Sequence, residues 1–188
     1  MMPRVQRMAK SKQPTPFALL GELERRGREH KAALPVRQEV KEQWVGVGFR
    51  LGGWRFVVPM GDVLEILTCP PMSRVPRAKP WVKGVANVRG NLLPIMDLNG
   101  YLGRPLVVLG RSSRVLVVDQ EGVFAGLLVD EVLGLRHFFR DEWVETSTAL
   151  EEELRPYVVG GFGREDGVWH VFSMASLVRS PQFLKAAG

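Results

Sequence analysis

With 188 residues, 45% hydrophobic and 24% charged, the chain can bury the core of one domain or of two small, closely packed barrels. Its net charge of +6 is concentrated at the front: residues 1–43 hold ten Lys or Arg against five Glu, and residues 44–188 hold sixteen against fifteen acids, so the body is nearly neutral. A single cysteine, Cys69, excludes an internal disulfide, no apolar h-region follows the basic start, and no apolar run approaches the ~20 residues of a spanning helix, so neither a secreted nor a membrane-inserted protein is expected.

Residues 1–14 read as a disordered basic tail and 15–43 as a helical extension. Thr15 and Pro16 supply an N-cap hydroxyl and a first-turn proline, and Phe17, Leu19, Leu20 and Leu23 follow at helical spacing. After Pro35, the recurrence of Val36, Val40 and Trp44 predicts a second short helix leading into the body. From Trp44 the rhythm changes to short strands between Gly-marked turns. Trp44–Leu51 and Trp54–Pro59 flank Gly52-Gly53, a two-residue hairpin signal.

Asp62–Leu67 is expected to form a helical turn or two. Trp81–Val88 and Leu92–Met96 flank a turn through Arg89-Gly90-Asn91, and Pro94, which cannot donate to a ladder, marks an edge or a bulge. Arg114–Asp119 pairs with Val123–Val129, and Val158–Gly163 with Val168–Phe172. Asp130-Glu131 ends a strand. Thr148 and Glu151 have capping-box spacing, with Pro156 stopping that turn, and Ser173 caps Met174–Arg179 ahead of Pro181. Many short strands at this spacing predict an all-β protein with short helices, built as barrels or sandwiches.

Catalytic equipment is sparse. His30, His137 and His170 are far apart and lack metal-ligand spacing, and Cys69 has no adjacent base. Gly46-x-Gly48 lacks the third glycine of a dinucleotide fingerprint. No cofactor, metal or catalytic residue is therefore expected, and the protein reads as one that offers a surface to other proteins. A small-barrel protein that binds nucleic acid through its basic N-terminal segment is the alternative, although the near-neutral body lacks the positive surface that a binding domain needs.

The segment W-V-K-G-V-A-N-V-R-G-N-L-L-P-I-M-D-L, residues 81–98, resembles the hallmark of the CheW-type coupling family, I-K-G-x-x-N-x-R-G-x-x-x-P-x-x-D-L, departing only by Val82. The strands around Gly52-Gly53, the segment Ala125–Val132 and the closing Gly160–Leu177 also match, so the resemblance covers residues 44–180. The long extension makes the chain most similar to the branch serving type IV pilus twitching motility.

The resemblance implies two five-stranded SH3-like barrels packed side by side, split near residues 105–112, with a core in each and between them and residues 181–188 as a tail. It implies a cytoplasmic, non-enzymatic adaptor, monomeric in isolation and recruited to inner-membrane receptor arrays. Such an adaptor couples the cytoplasmic tip of a methyl-accepting chemoreceptor to the regulatory domain of a CheA-type histidine kinase. By the same resemblance Arg89 lies beside Glu65, as a partly buried pair shaping a receptor groove or as an exposed turn cap. Val63, Gly84, Val88 and Leu92 are the other groove candidates, each readable as ordinary structure. Asn87, Gly90, Pro94 and Asp97 are turn or motif residues. The resemblance points to the strand surface of the second barrel for the kinase, without singling out residues.

Overall fold

Gly52 at the first turn takes a φ of +58°, which lets Gln43–Leu51 (β1) and Trp54–Pro59 (β2) close into a hairpin. These coordinates come from a computed structural model that describes residues 43–145 and 150–186. The expectations for the basic tail, the helical extension, His30 and Thr148 lie outside those residues. Gln43 and Trp44 belong to β1, so the expected second helix does not reach Trp44.

After a single 3-10 turn at Met60–Asp62 come Glu65–Thr68 (β3), Val82–Val88 (β4), Asn91–Asp97 (β5) and the short helix Leu98–Tyr101 (α1). The helical turn expected at Asp62–Leu67 is therefore corrected. Glu65 to Thr68 pair in register with Val117 to Arg114, with half-buried and exposed residues alternating along the strand. Arg114–Gln120 (β6), Val123–Val129 (β7), Glu131–Phe139 (β8), Trp143–Val144 (β9), Val158–Arg164 (β10) and Gly167–Phe172 (β11) follow. Met174–Val178 (α2) is capped by Ser173, whose Oγ accepts from Ser176 N at 3.1 Å, and Pro181 opens a further helix, Pro181–Leu184 (α3). Pro156 likewise sits inside a 3-10 turn, Arg155–Tyr157, rather than ending one.

Among the described residues the strands form two sheets, ordered β8-β1-β2-β11-β10-β9 and β3-β6-β7-β5-β4. The second has the expected five strands; the first has five long strands plus the two-residue β9. Most pairings are antiparallel, but β2 with β11 and β5 with β7 are parallel. The sheets are nested in sequence: β3 to β7 lie between β2 and β8. The loop 105–112 therefore does not divide two barrels, since strands on both sides of it share one sheet.

The five-stranded sheet curls until its edges meet. Beyond β3 the chain returns so that Ser73 bridges Val85 of β4, with Ser73 N donating to Val85 O at 2.9 Å and Val85 N to Ser73 O at 2.8 Å. Gly84 makes this closure possible. Its φ is +151°, and a Cβ there would lie 2.4 Å from Ser73 O. The same bridge explains Pro94, which stands opposite Val85 in an interior strand rather than at an edge. Val85 directs both its polar groups to Ser73, so the Val85–Pro94 pair is a non-hydrogen-bonded one. The parallel register with β7 starts only at Ile95, where N–H donors resume.

Three apolar clusters result. Ala86, Leu93, Ile95, Val115, Val117 and Leu128 fill the five-stranded barrel, and Val57, Phe138, Phe162, Trp169 and Val171 fill the other. Phe49, Phe56, Leu116, Leu127 and Phe172 belong to the large cluster shared by the two sheets. The six-stranded sheet is drawn together by Arg164, which donates to His137 O of β8, and by Phe138 stacked on Phe162 at 4.4 Å.

Asp97 is fully buried. Its Oδ1 accepts from Gly100 N at 3.0 Å, capping α1, and its Oδ2 accepts from Val107 N at 2.8 Å, fixing the loop that follows. Burial raises its pKa above the ordinary 3.8, opposed by these two N–H donors. A native pKa above the unfolded one means that the group's contribution is fully present below pH 3.8 and is lost as pH rises through the raised value. In denaturant titrations from pH 3 upward, Asp97→Asn should flatten this part of the stability profile. Gly84→Ala, strained in φ and blocked by Ser73 O, should cost about 2 kcal/mol or more by urea unfolding.

Candidate functional site

The turn that ends β4 is short and tense. Arg89 has φ +52° and Gly90 φ +89°, both left-handed, as a two-residue type I′ hairpin requires. Glycine adopts that conformation freely; arginine does so at a cost of about 1 kcal/mol. Asn87 steadies the turn, its Oδ1 accepting from Gly90 N at 2.9 Å. Barrel closure brings this turn to β3, and Arg89 Nη2 donates to Glu65 Oε1 at 2.6 Å. The two residues sit on opposite flanks of the sheet order, so curling alone makes the pair possible.

The pair differs from a partly buried one. The Arg89 side chain is 78% exposed and that of Glu65 30%, and one carboxylate oxygen takes the contact. Glu65 lies on the same side of β3 as Leu67, which packs on the barrel core, so the carboxylate stands at the barrel mouth with the guanidinium across it. Apolar side chains crowd the outer side of β3: Leu64 and Ile66 are exposed on either side of Glu65. The sequence V-L-E-I-L-T reads apolar-apolar-polar twice over and does not alternate, so it carries no clear strand signal.

The other groove candidates separate. Leu92, on the outer side of β5, is 71% exposed and available to a partner. Val63 packs against the inter-sheet core and Val88 against the core of the five-stranded barrel, so both shape the mouth from behind. Gly84 is buried at the barrel seam.

Among the described residues, no group of three or more His, Cys, Asp or Glu is placed to hold a metal ion. His137 is exposed on β8. His170 is buried on β11 against Trp54 and Phe56, and burial lowers its pKa. Cys69 is half-buried, and burial pushes its thiol up, away from thiolate chemistry. No helix among the described residues is long and apolar enough to cross a membrane.

The described body is two small barrels sharing a core, with a charged turn presented at one mouth. The CheW-like domain matches residues 45–182, and the chain belongs to that family. It is 50% identical to Protein PilI of Pseudomonas aeruginosa over 173 residues, 92% of this chain and 97% of that one. Protein FrzA of Myxococcus xanthus is 36% identical over 88 residues, 47% of this chain and 55% of that one. The crystal structure of the scaffolding protein TtCheW from Thermoanaerobacter tengcongensis superposes with a TM-score of 0.65 at 21% identity. That match covers 75% of this chain and 96% of the other, and it carries the fold. The protein is a non-enzymatic, CheW-like coupling scaffold homologous to PilI.

An exposed pair of this kind contributes about 0–1 kcal/mol. In a double-mutant cycle, Arg89→Ala and Glu65→Ala should therefore couple by no more than about 1 kcal/mol in urea unfolding. Arg89→Gly, which relieves the left-handed strain while losing the pair, should stay within about 1 kcal/mol of the parent.

Proposed function

We propose that the protein couples the cytoplasmic tip of a methyl-accepting chemoreceptor to the regulatory domain of a CheA-type histidine kinase, in the pathway that controls type IV pilus twitching motility. The observation that carries this reading is the Arg89–Glu65 pair, held by a strained turn at a barrel mouth in a chain half identical to a PilI. The residues around it favour a helical hairpin tip. Leu92 is an exposed apolar contact, Val63 and Val88 support the surface from beneath, and the guanidinium remains open to a partner's carboxylate or carbonyls.

Residues 44–180 form the coupling domain in this scheme. The kinase regulatory domain pairs with it barrel against barrel, through the strand surface of the other barrel. The adaptor is monomeric in isolation and works in the cytoplasm, recruited to receptor arrays at the inner membrane. Its neutral body suits protein faces better than a polyanion.

Reconstituted receptor, kinase and full-length adaptor test the scheme through kinase autophosphorylation. Arg89→Ala, Glu65→Ala and Arg89→Gly should each lower receptor-dependent kinase control about tenfold, while thermal unfolding and direct kinase binding stay near the parent's. Undiminished control in all three variants would remove the groove assignment. Failure of the parent to bind the kinase at high protein concentration would remove the coupling role itself.

A further inference from the structure

The barrel that presents Arg89 at one mouth carries a second display at the other. β5 runs away from the Arg89-Gly90 turn and ends at Asp97, β7 runs parallel to it, and β6 is antiparallel to β7, starting at Arg114 opposite Val129. The segment from α1 to β6, residues 102–113, therefore lies at the end remote from the turn.

This segment is anchored, and it is turned inside out. Val107 alone points into the barrel core, its N–H held by buried Asp97. On either side of it Leu106, Val108 and Leu109 are exposed, Val108 by 88%. Ser113, buried, ties the far side: its Oγ accepts from Gly110 N at 3.0 Å and donates to Val108 O at 3.2 Å. Arg114 Nη1 donates to Arg111 O at 2.7 Å and to Ser113 O at 2.8 Å. Three large apolar side chains are thus held in water by a network that orders the loop before any partner arrives.

Charge narrows the occupant. Residues 102–114 contain Arg104, Arg111 and Arg114 and no acid. Arg104 pairs with Glu151 at 3.1 Å, but no ion pair among the described residues involves Arg111 or Arg114. Beside Leu106 and Val108 opens a recess of about 440 Å³, lined also by Asn99 and Asp130. Asn99 is 5% exposed; its Nδ2 donates to Asp130 Oδ1 at 3.1 Å, and its Oδ1 has no hydrogen-bond partner.

We infer that the loop 105–111 is a docking site for an acidic, apolar segment of a partner protein. Such a segment places an apolar side chain on Leu106 and Val108 and a carboxylate on Arg111. This site is separate from the Arg89 mouth and does not depend on what binds there.

Fluorescence anisotropy of the full chain with a fluorescein-labelled synthetic peptide of Leu, Ala and Glu tests it. The same peptide with Lys for Glu and vesicles of phosphatidylglycerol serve as the other probes. The Glu peptide should bind, more weakly as salt rises, and the Lys peptide and vesicles should not. Val108→Asp, a change at a solvent-facing position, should weaken binding about tenfold, and Arg111→Ala about threefold, with both variants folding as the parent does. Equal binding by Val108→Asp, no binding of the Glu peptide, binding confined to vesicles, or a concentration-dependent dimer in sedimentation that Val108→Asp abolishes would each overturn the assignment.

Discussion

Two hydrogen bonds between Ser73 and Val85 turn an open five-stranded sheet into a barrel, and most of what the molecule presents follows from that closure. Without it β3 and β4 are the two free edges of the sheet, as far apart as the strand order allows. With it, Glu65 on β3 meets Arg89 at the tip of the β4–β5 hairpin. Closure also removes an exposed edge that would invite pairing with another chain. It requires a residue without a Cβ at Gly84, and it frees Pro94 from donating to its neighbour. One backbone contact therefore accounts for two residues of the hallmark segment that have no side-chain chemistry to contribute.

The nested chain order has a mechanical consequence. The first hairpin and the last hairpin share a sheet through the parallel β2–β11 pairing, while the middle of the chain folds into the other barrel. Neither barrel has its own face of the central core. Phe49 and Phe172 approach from one sheet, Leu116 and Leu127 from the other, in a single buried cluster. The two barrels are thus built around one shared core, so that neither can shift without disturbing the packing of the other.

The hairpins were legible because their signals are local: alternation on both arms and glycine at the turn. Gly52, Gly90 and Gly122 all have the positive φ that such turns require. What escaped was non-local or irregular. β8, with L-G-L-R-H-F-F, breaks alternation at Gly134, where it faces a register shift in β1, so nothing nearby in sequence marks it as a strand. The nesting of the barrels depends on pairings between chain ends, which composition does not encode. P-P-M-S-R-V-P reads as loop, although its serine closes a barrel. The Arg89–Glu65 contact was legible only through resemblance to a family, and the sequence left open whether Arg89 is partly buried or exposed. Leu106 to Leu109 looks like buried strand, yet only Val107 is buried.

The energetics of the charged turn separate folding from function. A left-handed arginine costs about 1 kcal/mol and an exposed ion pair returns about as much, so the tip contributes close to nothing to stability. Glycine at position 89 would form the same turn with no strain. Arginine there adds something folding does not need: a guanidinium fixed in direction by the turn, by Asn87 beneath it and by Glu65 across the mouth. A flexible surface arginine loses side-chain entropy when a partner orders it, whereas this one is already oriented. The Glu65 contact uses one of its nitrogens and leaves the other donors of the fork open. The turn thus points a hydrogen-bonding group outward from the tip of a hairpin whose arms are otherwise built to be buried.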